Sequence, residues 1–148
     1  MRKLLLINGP NLSRLGTRNP NVYGSVTLEE VEEQVKELAA LHQLKCLCFC
    51  DNAEGNIIDF IDQHRDAVAM IINPGALMMS GWSLRDALED FEGYKLEVHI
   101  SNLWQRESFR HESVISPVVN GVFSGAGTHG YPLALQAIIH FLRLSRDN

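Results

Sequence analysis

Short apolar runs alternate with amphipathic segments along the whole chain, and this alternation restricts the possible folds more than any other feature of the sequence. We predict five strands, over the apolar runs at residues 3–8, 44–50, 67–73, 95–100 and 118–124. Strands buried on both faces of a sheet have nearly continuous apolar runs of this kind. Amphipathic segments between them predict helices, one beginning after Thr27 and the others at about residues 54–65, 81–91 and 131–144. The first of these helices has a capping box, formed by Thr27 and Glu30.

This order of strands and helices predicts a parallel sheet with helices on both faces and right-handed crossovers. The predicted fold is a single α/β domain over residues 1–148. It is a three-layer, flavodoxin-like doubly wound sheet of five parallel strands in the order 2-1-3-4-5. In such sheets, ligands bind in the crevice beyond the carboxyl ends of the strands. We therefore expect functional residues just after residues 8, 73 and 100.

Charge and hydropathy argue against two classes of partner. The net charge is −5 and no stretch is rich in Lys or Arg, so we expect no nucleic-acid partner. No apolar run is long enough to span a bilayer, so we expect no membrane partner. The first residues carry two positive charges and a short apolar run but no cleavage site. They are interpreted as a strand of a cytoplasmic protein rather than as a signal peptide.

Three cysteines, Cys46, Cys48 and Cys50, alternate along the second predicted strand. Side chains two residues apart on a strand share one face and stand about 6.5–7 Å apart. That spacing is too wide for three thiolates to reach one zinc ion, and parallel side chains suit a disulfide poorly. We interpret the cysteines as small apolar residues in a reducing compartment, without a metal.

The long loop after the first strand contains the first candidate catalytic pair, Arg18 and Tyr23. A loop of about eighteen residues between strand and helix is typical of lids and binding loops. A guanidinium group beside a phenol favours the phenolate, which is a credible general base. The alternative is that Arg18 pairs with a surface carboxylate and Tyr23 only packs.

Candidate polar groups also follow the third and fourth strands. Asn73 could offer its amide to a substrate carboxylate or hydroxyl, or merely stabilise a turn. Glu97 and His99 share a strand face, and the carboxylate would favour a charged imidazole that could act as a general acid. A His–carboxylate pair that only packs is the alternative. Arg106 and Arg110 could each bind an anion or hydroxyl groups, and we expect one of them to be a surface charge.

A dinucleotide-like pattern, Gly125-x-Gly127-x-x-Gly130, lies between the fifth strand and the last helix. A dinucleotide site needs a further strand that carries an acidic residue, and none follows here. We interpret these glycines as a tight turn and close helix–sheet packing.

The chain resembles the type II 3-dehydroquinate dehydratases over nearly its whole length, from about residue 5 to residue 139. The resemblance rests on an ordered set of motifs: Asn8-Gly9-Pro10-Asn11-Leu12, Leu15-Gly16-Thr17-Arg18, Tyr23-Gly24, Asn73-Pro74-Gly75-Ala76, Leu84-Arg85-Asp86-Ala87-Leu88, Glu97-Val98-His99-Ile100-Ser101-Asn102 and Arg106-Glu107-x-Phe109-Arg110. It implies a flavodoxin-like fold, trimers assembled into a homo-dodecamer, and no metal or organic cofactor. The implied reaction removes water from a small anionic substrate, 3-dehydroquinate, to give 3-dehydroshikimate.

The resemblance also implies catalytic roles for five residues. Tyr23 would take the proton beside the ketone, and Arg18 would keep Tyr23 ionised. Asn11 would help to hold the enolate oxygen through a water molecule. His99 would protonate the departing hydroxyl, with Glu97 orienting the imidazole.

Five further residues are implied to bind the substrate. Asn73 and the backbone amides of Ile100 and Ser101 would hold its carboxylate. Arg110 would bind the ring hydroxyls, and Asp86 would reach in from a neighbouring subunit. A lid loop would close over the site and exclude water.

The sequence departs from the family pattern at Met79, where a histidine that contacts the substrate is usual. A thioether is at best a weak hydrogen-bond acceptor. One reading is an active dehydratase with a higher Michaelis constant. A second is a paralogue that performs a similar elimination on a related hydroxylated cyclic acid. A third is a non-enzymatic flavin carrier or phospho-receiver, although a receiver needs an Asp where Asn73 stands.

Overall fold

Five parallel strands form one sheet in the order β2-β1-β3-β4-β5, which confirms the predicted topology. The computed structural model describes residues 1–17, 19, 21 and 24–147, with side chains described as far as Arg143. The strands are β1 (Arg2–Asn8), β2 (Leu44–Cys50), β3 (Ala69–Asn73), β4 (Tyr94–His99) and β5 (Gly121–Ser124). Because β1 pairs with both β2 and β3, the first strand of the chain lies inside the sheet.

Helices cover both faces of this sheet. They are α1 (Leu28–Ala40), α2 (Glu54–Gln63), α3 (Leu77–Ser80), α4 (Trp82–Asp90) and α5 (Gly130–Asp147). Thr27 caps α1 as predicted, with its Oγ1 accepting a 3.2 Å hydrogen bond from the backbone N–H of Glu30. The short helix α3 is not among the predicted elements, because four residues are too few to show a helical period in the sequence.

Alternate residues of the inner strands bury against opposite helix layers. In β1, Leu4 and Leu6 pack with α1 and α5, whereas Leu5 and Ile7 pack with α2 and α4. All four side chains have no exposed surface. This two-sided burial is why the strand sequences are nearly continuously apolar.

Two strands begin later than predicted. The backbone N–H of Ala67 donates to the carbonyl of His64 at 3.0 Å, which closes the turn after α2 and delays β3 to Ala69. A single 3-10 turn over Ser116–Val118 likewise delays β5 to Gly121. Both differences are local turns that compete with the end of a strand, where apolar patterning is least informative.

The three cysteines are free and half-buried, and all three contact the core layer of α1 and α5. The Sγ atoms of Cys46 and Cys48 are 3.8 Å apart, so the side chains lean together more closely than the strand repeat implies. The glycines after β5 form a turn, with Gly125 at φ 94°, and a Cβ on Gly130 would lie 3.1 Å from Cγ1 of Val98. The predicted turn and close helix–sheet packing are therefore confirmed.

None of the helices that the structure describes is both long and apolar enough to cross a membrane.

Candidate functional site

A polar cleft opens at the carboxyl edge of the sheet, beyond the ends of β1, β3 and β4. It is lined by Pro10, Asn11, Leu12, Asn73, Gly75, Ala76, Met78, His99, Ile100, Ser101, Leu103, Arg106 and Arg110. These residues come from three separate loops and the strand ends that precede them. The cleft lies where the fold class places ligands, at the switch point between neighbouring strands.

The loops after β1 and β3 are in direct backbone contact beneath this cleft. The N–H of Gly9 donates to the carbonyl of Asn73 at 2.8 Å. A Cβ on Gly9 would lie 2.6 Å from the carbonyl oxygen of Pro74, a distance that real side chains do not reach. Glycine at this position therefore allows the two loops to approach each other and to form one wall of the cleft.

Asn11 is held at the rim of the cleft in a left-handed conformation, with φ 70°. Its backbone N–H donates to Oδ1 of Asn52 at 3.0 Å, and its own Oδ1 accepts from Nη2 of Arg14 at 2.6 Å. Asn is one of the few side chains that adopt this conformation readily. These contacts fix the backbone of Asn11 and leave its side-chain amide N–H₂ as the donor it can turn toward a ligand.

Asn73 lies at the end of β3, almost fully buried, and belongs to a hydrogen-bond network under the cleft. Its Nδ2 donates to the phenol oxygen of Tyr131 at 2.9 Å, and its Oδ1 accepts from the N–H of Gly75 at 3.1 Å. The Tyr131 hydroxyl in turn donates to Oδ1 of Asn8 at 2.6 Å. Asn73 therefore stabilises the turn, as one of the two predicted alternatives has it, and it also lines the cleft. Its contact with a substrate stays a prediction.

Tyr131 was not predicted as part of the site, because nothing in the sequence near it relates it to Asn8 or Asn73. Its side chain has no exposed surface. Burial raises the pKa of this phenol well above its ordinary value, and the hydrogen bond from Asn73 opposes that rise only in part. Tyr131 is therefore a neutral structural anchor rather than a candidate base.

Glu97 and His99 lie on one face of β4, as the two-residue spacing predicts. Glu97 has no exposed surface and His99 is 5% exposed. The Nε2 atom of His99 is hydrogen-bonded to Oε2 of Glu97. The other carboxylate oxygen, Oε1, accepts a 2.7 Å hydrogen bond from Oγ of Ser116, a residue that the sequence did not single out. His99 also lines the cleft, so the pair connects a buried negative charge to an imidazole at the ligand surface.

Arg106 and Arg110 both border the cleft, so their position alone does not separate a ligand-binding arginine from a surface charge. Nη1 of Arg106 donates to Oγ of Ser101 at 3.1 Å, and Nε of Arg110 donates to Glu107 at 2.8 Å. The pKa of Glu107 lies below its ordinary value, first through a hydrogen bond from its own backbone and then through Arg110. Two guanidinium groups make this rim of the cleft suitable for an anion.

Ile100 and Ser101, the predicted carboxylate-binding pair, line the cleft directly after β4. Asp86 is exposed on α4 and lies outside the cleft of its own chain. Arg18 and Tyr23 lie outside the described residues. Their assignment as base and base-activating group stays a prediction.

Met79 is half-buried at a neighbouring recess, which it shares with Trp82 and Phe109, whereas Met78 is the methionine that lines the cleft. Both aromatic side chains at this recess are more than half exposed. The role of Met79 toward a substrate stays a prediction.

Among the described residues, no group of three or more His, Cys, Asp and Glu side chains could hold a metal ion. The cleft instead brings together one imidazole, two guanidinium groups and the amide of Asn73. Proton donation and anion binding are the two tasks that these groups perform well.

Together, the sheet order and the position of the cleft at its carboxyl edge define a flavodoxin-like protein, and the imidazole and guanidinium groups of that cleft suit a small anionic molecule. The family described as dehydroquinase class II matches residues 2–139, and the chain belongs to that family. The family predicted from the sequence motifs is thereby confirmed, and with it an enzyme of the lyase class.

Individual relatives agree with this assignment. The chain is 48% identical over 144 residues to the 3-dehydroquinate dehydratase of Bacillus cereus (strain G9842), an alignment that covers 97% of this chain and 99% of the relative. The type II dehydroquinase of Butyrivibrio crossotus superposes with a TM-score of 0.89 at 40% identity, covering 93% of this chain and 97% of that structure. The type II dehydroquinase of Propionibacterium acnes gives 0.90 at 35% identity, covering 95% and 97%.

Proposed function

We propose that the chain dehydrates 3-dehydroquinate to 3-dehydroshikimate, a step of the shikimate or quinate pathway. The observation that carries this proposal is the buried Glu97–His99 pair, which opens onto a cleft lined by Arg106 and Arg110. An imidazole backed by a carboxylate can give up a proton beside a bound anion. Full-length similarity to 3-dehydroquinate dehydratases supports the choice of substrate.

Elimination begins with removal of the proton beside the ketone, which leaves an enolate. We assign this step to Tyr23 as a phenolate, with Arg18 favouring the ionised form through its positive charge. Asn11 helps to hold the enolate oxygen through a water molecule. The place of Asn11 at the rim of the cleft supports this role, because Arg14 and Asn52 hold its side-chain oxygen and its backbone N–H while its side-chain N–H₂ is a donor.

The second step breaks the carbon–oxygen bond and releases water. His99 donates a proton to the departing hydroxyl, and Glu97 stabilises the imidazolium before that transfer. The enolate electrons form the new carbon–carbon double bond. No electrons are exchanged with another molecule, so acid and base side chains can supply all of the chemistry in the proposed steps.

Binding of the substrate is assigned to the strand ends and the cationic rim. Asn73 and the backbone amides of Ile100 and Ser101 hold the carboxylate, and Arg110 binds the ring hydroxyls. The position of these residues along a single cleft supports the assignment. Asp86, which is exposed on α4, would act on the cleft of a neighbouring subunit.

The proposal is tested by adding 3-dehydroquinate to the purified protein and following the ultraviolet absorbance of the conjugated enone product. We expect turnover in the native protein and a severe loss in Tyr23→Phe and Arg18→Ala, with thermal stability retained. If neither the native protein nor Met79→His forms the enone, the proposed function is wrong. More than a tenth of native activity in Tyr23→Phe would disprove the assignment of the base.

A second candidate is a similar elimination on a related hydroxylated cyclic acid, and Met79 is the observation that favours it. This thioether shares its recess with Trp82 and Phe109, which makes the region apolar where the family has a histidine. A thermal-shift screen of cyclic hydroxy acids separates the two candidates. If 3-dehydroquinate stabilises the protein more than any other acid does, the second candidate fails.

We also propose that the chain is a cytoplasmic homo-dodecamer, a tetramer of trimers. Trp82 and Phe109 are 62% and 58% exposed at the Met79 recess, and exposed apolar groups of this size are typical of interfaces. Light scattering after size exclusion should give twelve times the 16.6 kDa of one chain. A Trp82→Glu variant should give a smaller species, and a monomeric native protein would contradict the proposal.

A further inference from the structure

Both oxygens of the buried Glu97 carboxylate are engaged, and only one of them faces the imidazole. Oε2 is bonded to Nε2 of His99, while Oε1 accepts from Oγ of Ser116 at 2.7 Å. Glu97 has no exposed surface, so water cannot take over either position without a change in the packing. Burying a carboxylate with one oxygen that has no hydrogen bond costs free energy. Such a carboxylate can also rotate about the bond to its carboxyl carbon.

Ser116 is itself held in place by the loop that contains it. Its backbone N–H donates to Oγ of Ser113 at 2.9 Å, and the N–H of Ile115 donates to the same oxygen at 3.1 Å. The side chain of Ile115 is fully buried beneath this turn. The N–H of Val114 donates to the carbonyl of Met78 at 2.8 Å, which ties the loop to the cleft wall. The hydroxyl of Ser116 is therefore presented to Glu97 from a rigid support.

A neutral donor is well suited to this position. A hydroxyl donates a hydrogen bond to the second oxygen of Glu97 without neutralising the carboxylate. An arginine or lysine would form an ion pair with Glu97 and weaken its electrostatic interaction with His99. With Nε2 of His99 held on Glu97, Nδ1 is the ring nitrogen that remains for a ligand in the cleft. The hydrogen bond made by one ring nitrogen sets the protonation of the other, so the partner of Nε2 determines what Nδ1 can do.

We infer that Ser116 is a positioning residue, which holds the Glu97 carboxylate in one orientation and thereby aims Nδ1 of His99 at the substrate. The inference rests on the proposed function, because it assumes that His99 donates the proton to the departing hydroxyl. Ser116 acts through Glu97 and has no assigned contact with the substrate.

Ser116→Ala, Ser116→Thr and Ser108→Ala test the inference by steady-state kinetics with 3-dehydroquinate. Ser116→Ala should lower kcat by about 10-fold or more with little change in KM, since a hydrogen bond to a charged group is lost away from the substrate. Ser116→Thr keeps the hydroxyl and should stay within about threefold of the native kcat. Ser108, which is exposed on the same loop, is the matched control and should leave both constants unchanged.

A second measurement, on the protein without substrate, distinguishes a change in the position of His99 from a general loosening of the loop that contains Ser116. Nuclear magnetic resonance of ¹⁵N-histidine protein should show the Nε2 proton of His99 far downfield, and His99→Asn identifies it among the six histidines. In Ser116→Ala this signal should move upfield or broaden, and in Ser116→Thr it should remain. This measurement needs no turnover, so it tests whether Ser116 positions Glu97 and His99 even if 3-dehydroquinate is not the substrate.

Two results overturn the inference. One is a native-like kcat in Ser116→Ala. The other is a reduced kcat with an unchanged Nε2 proton signal, because the loss would then come from the loop alone. If Ser116→Ala does not fold, Ser116→Cys replaces it. The thiol is a weaker donor, so both the kcat and the proton signal should lie between the native and alanine expectations.

Discussion

The phenol of Tyr131 donates a 2.6 Å hydrogen bond to Oδ1 of Asn8, although the two residues are 123 positions apart in the chain. The same phenol oxygen accepts from Nδ2 of Asn73 at 2.9 Å. Asn8 and Asn73 are the last residues of β1 and β3, and they are register partners in the sheet. One buried side chain of α5 therefore holds together the two strand ends that support the cleft.

Tyr131→Phe should destabilise the protein, because it removes the phenol that pairs with Oδ1 of Asn8 and with Nδ2 of Asn73, both of which are buried. We expect the free energy of unfolding in urea to fall by about 1–3 kcal/mol. Tyr94→Phe is the control, since it keeps the ring that stacks on Phe141 at 5.2 Å, and should change stability by less than about 0.5 kcal/mol. Equal losses in the two variants would contradict the importance of the Tyr131 network.

Stability should also depend on pH through Tyr131. Burial raises the pKa of its phenol in the folded protein, so the unfolded chain ionises first. The contribution of Tyr131 is fully present below the unfolded pKa of about 10 and is lost as pH rises toward the folded pKa. Phenolate absorbance should show that Tyr131 ionises together with unfolding, a phase absent from Tyr131→Phe. Reversible ionisation of Tyr131 near pH 10 in the folded protein would disagree with this.

Gly9→Ala should disrupt the contact between the loops after β1 and β3. The added Cβ would lie 2.6 Å from the backbone oxygen of Pro74, which cannot move independently of the loop. We expect a loss of about 1–3 kcal/mol in unfolding free energy and a weaker site. Gly55→Ala, in the first turn of α2 with open space around the position, should instead stabilise by up to about 1 kcal/mol. A stable and fully active Gly9→Ala protein would show that the loops can separate at no cost.

Arg110→Ala should weaken binding of the anionic substrate, because this guanidinium group lines the cleft and is oriented by Glu107. We expect kcat/KM for 3-dehydroquinate to fall by about 10- to 100-fold, mainly through KM. Arg65→Ala removes an equal charge from the surface, where Arg65 pairs with Asp62, and should have no effect on either constant. If both variants behave alike, general charge rather than a contact at the cleft governs binding.

Met79→His restores the residue that is usual in the family. A hydrogen bond to a substrate hydroxyl should lower KM for 3-dehydroquinate by up to about tenfold. Met79→Leu keeps the position apolar and should leave KM unchanged. The same KM in all three proteins would mean that residue 79 does not reach the substrate and that its recess serves another purpose.

Local pattern predicted the parts of the fold in which side chains repeat with the period of their element. The bounds of β2, Leu44–Cys50, agree with the prediction at both ends, and the Thr27 cap of α1 is confirmed. The start of β5 could not be predicted, because the 3-10 turn over Ser116–Val118 begins within an apolar stretch. The pattern of apolar residues indicates which positions are buried. A strand and an ordered loop that packs on the core can both be buried, so the pattern does not distinguish them.

At the site, the sequence predicts contacts between residues that are close in the chain, but not contacts between residues that only folding brings together. Glu97 and His99 were paired because residues two apart on a strand share a face. Ser116, 19 positions after Glu97, could not be found this way, since a serine before a proline is also an ordinary turn residue. Tyr131 was missed for the same reason: its partners are set by the docking of α5, which no local signal describes.

The bond between Asn8 and Tyr131 also has a consequence for the order of events during synthesis. β1 is synthesised well before α5, since 123 positions separate Asn8 from Tyr131. The last side chain of β1 therefore obtains this partner only when α5 has emerged and docked. A nascent chain that stops before residue 131 lacks the phenol that connects Asn8 and Asn73. The floor of the cleft is thus complete only once α5 has docked, a step that must follow the synthesis of β1 to β5.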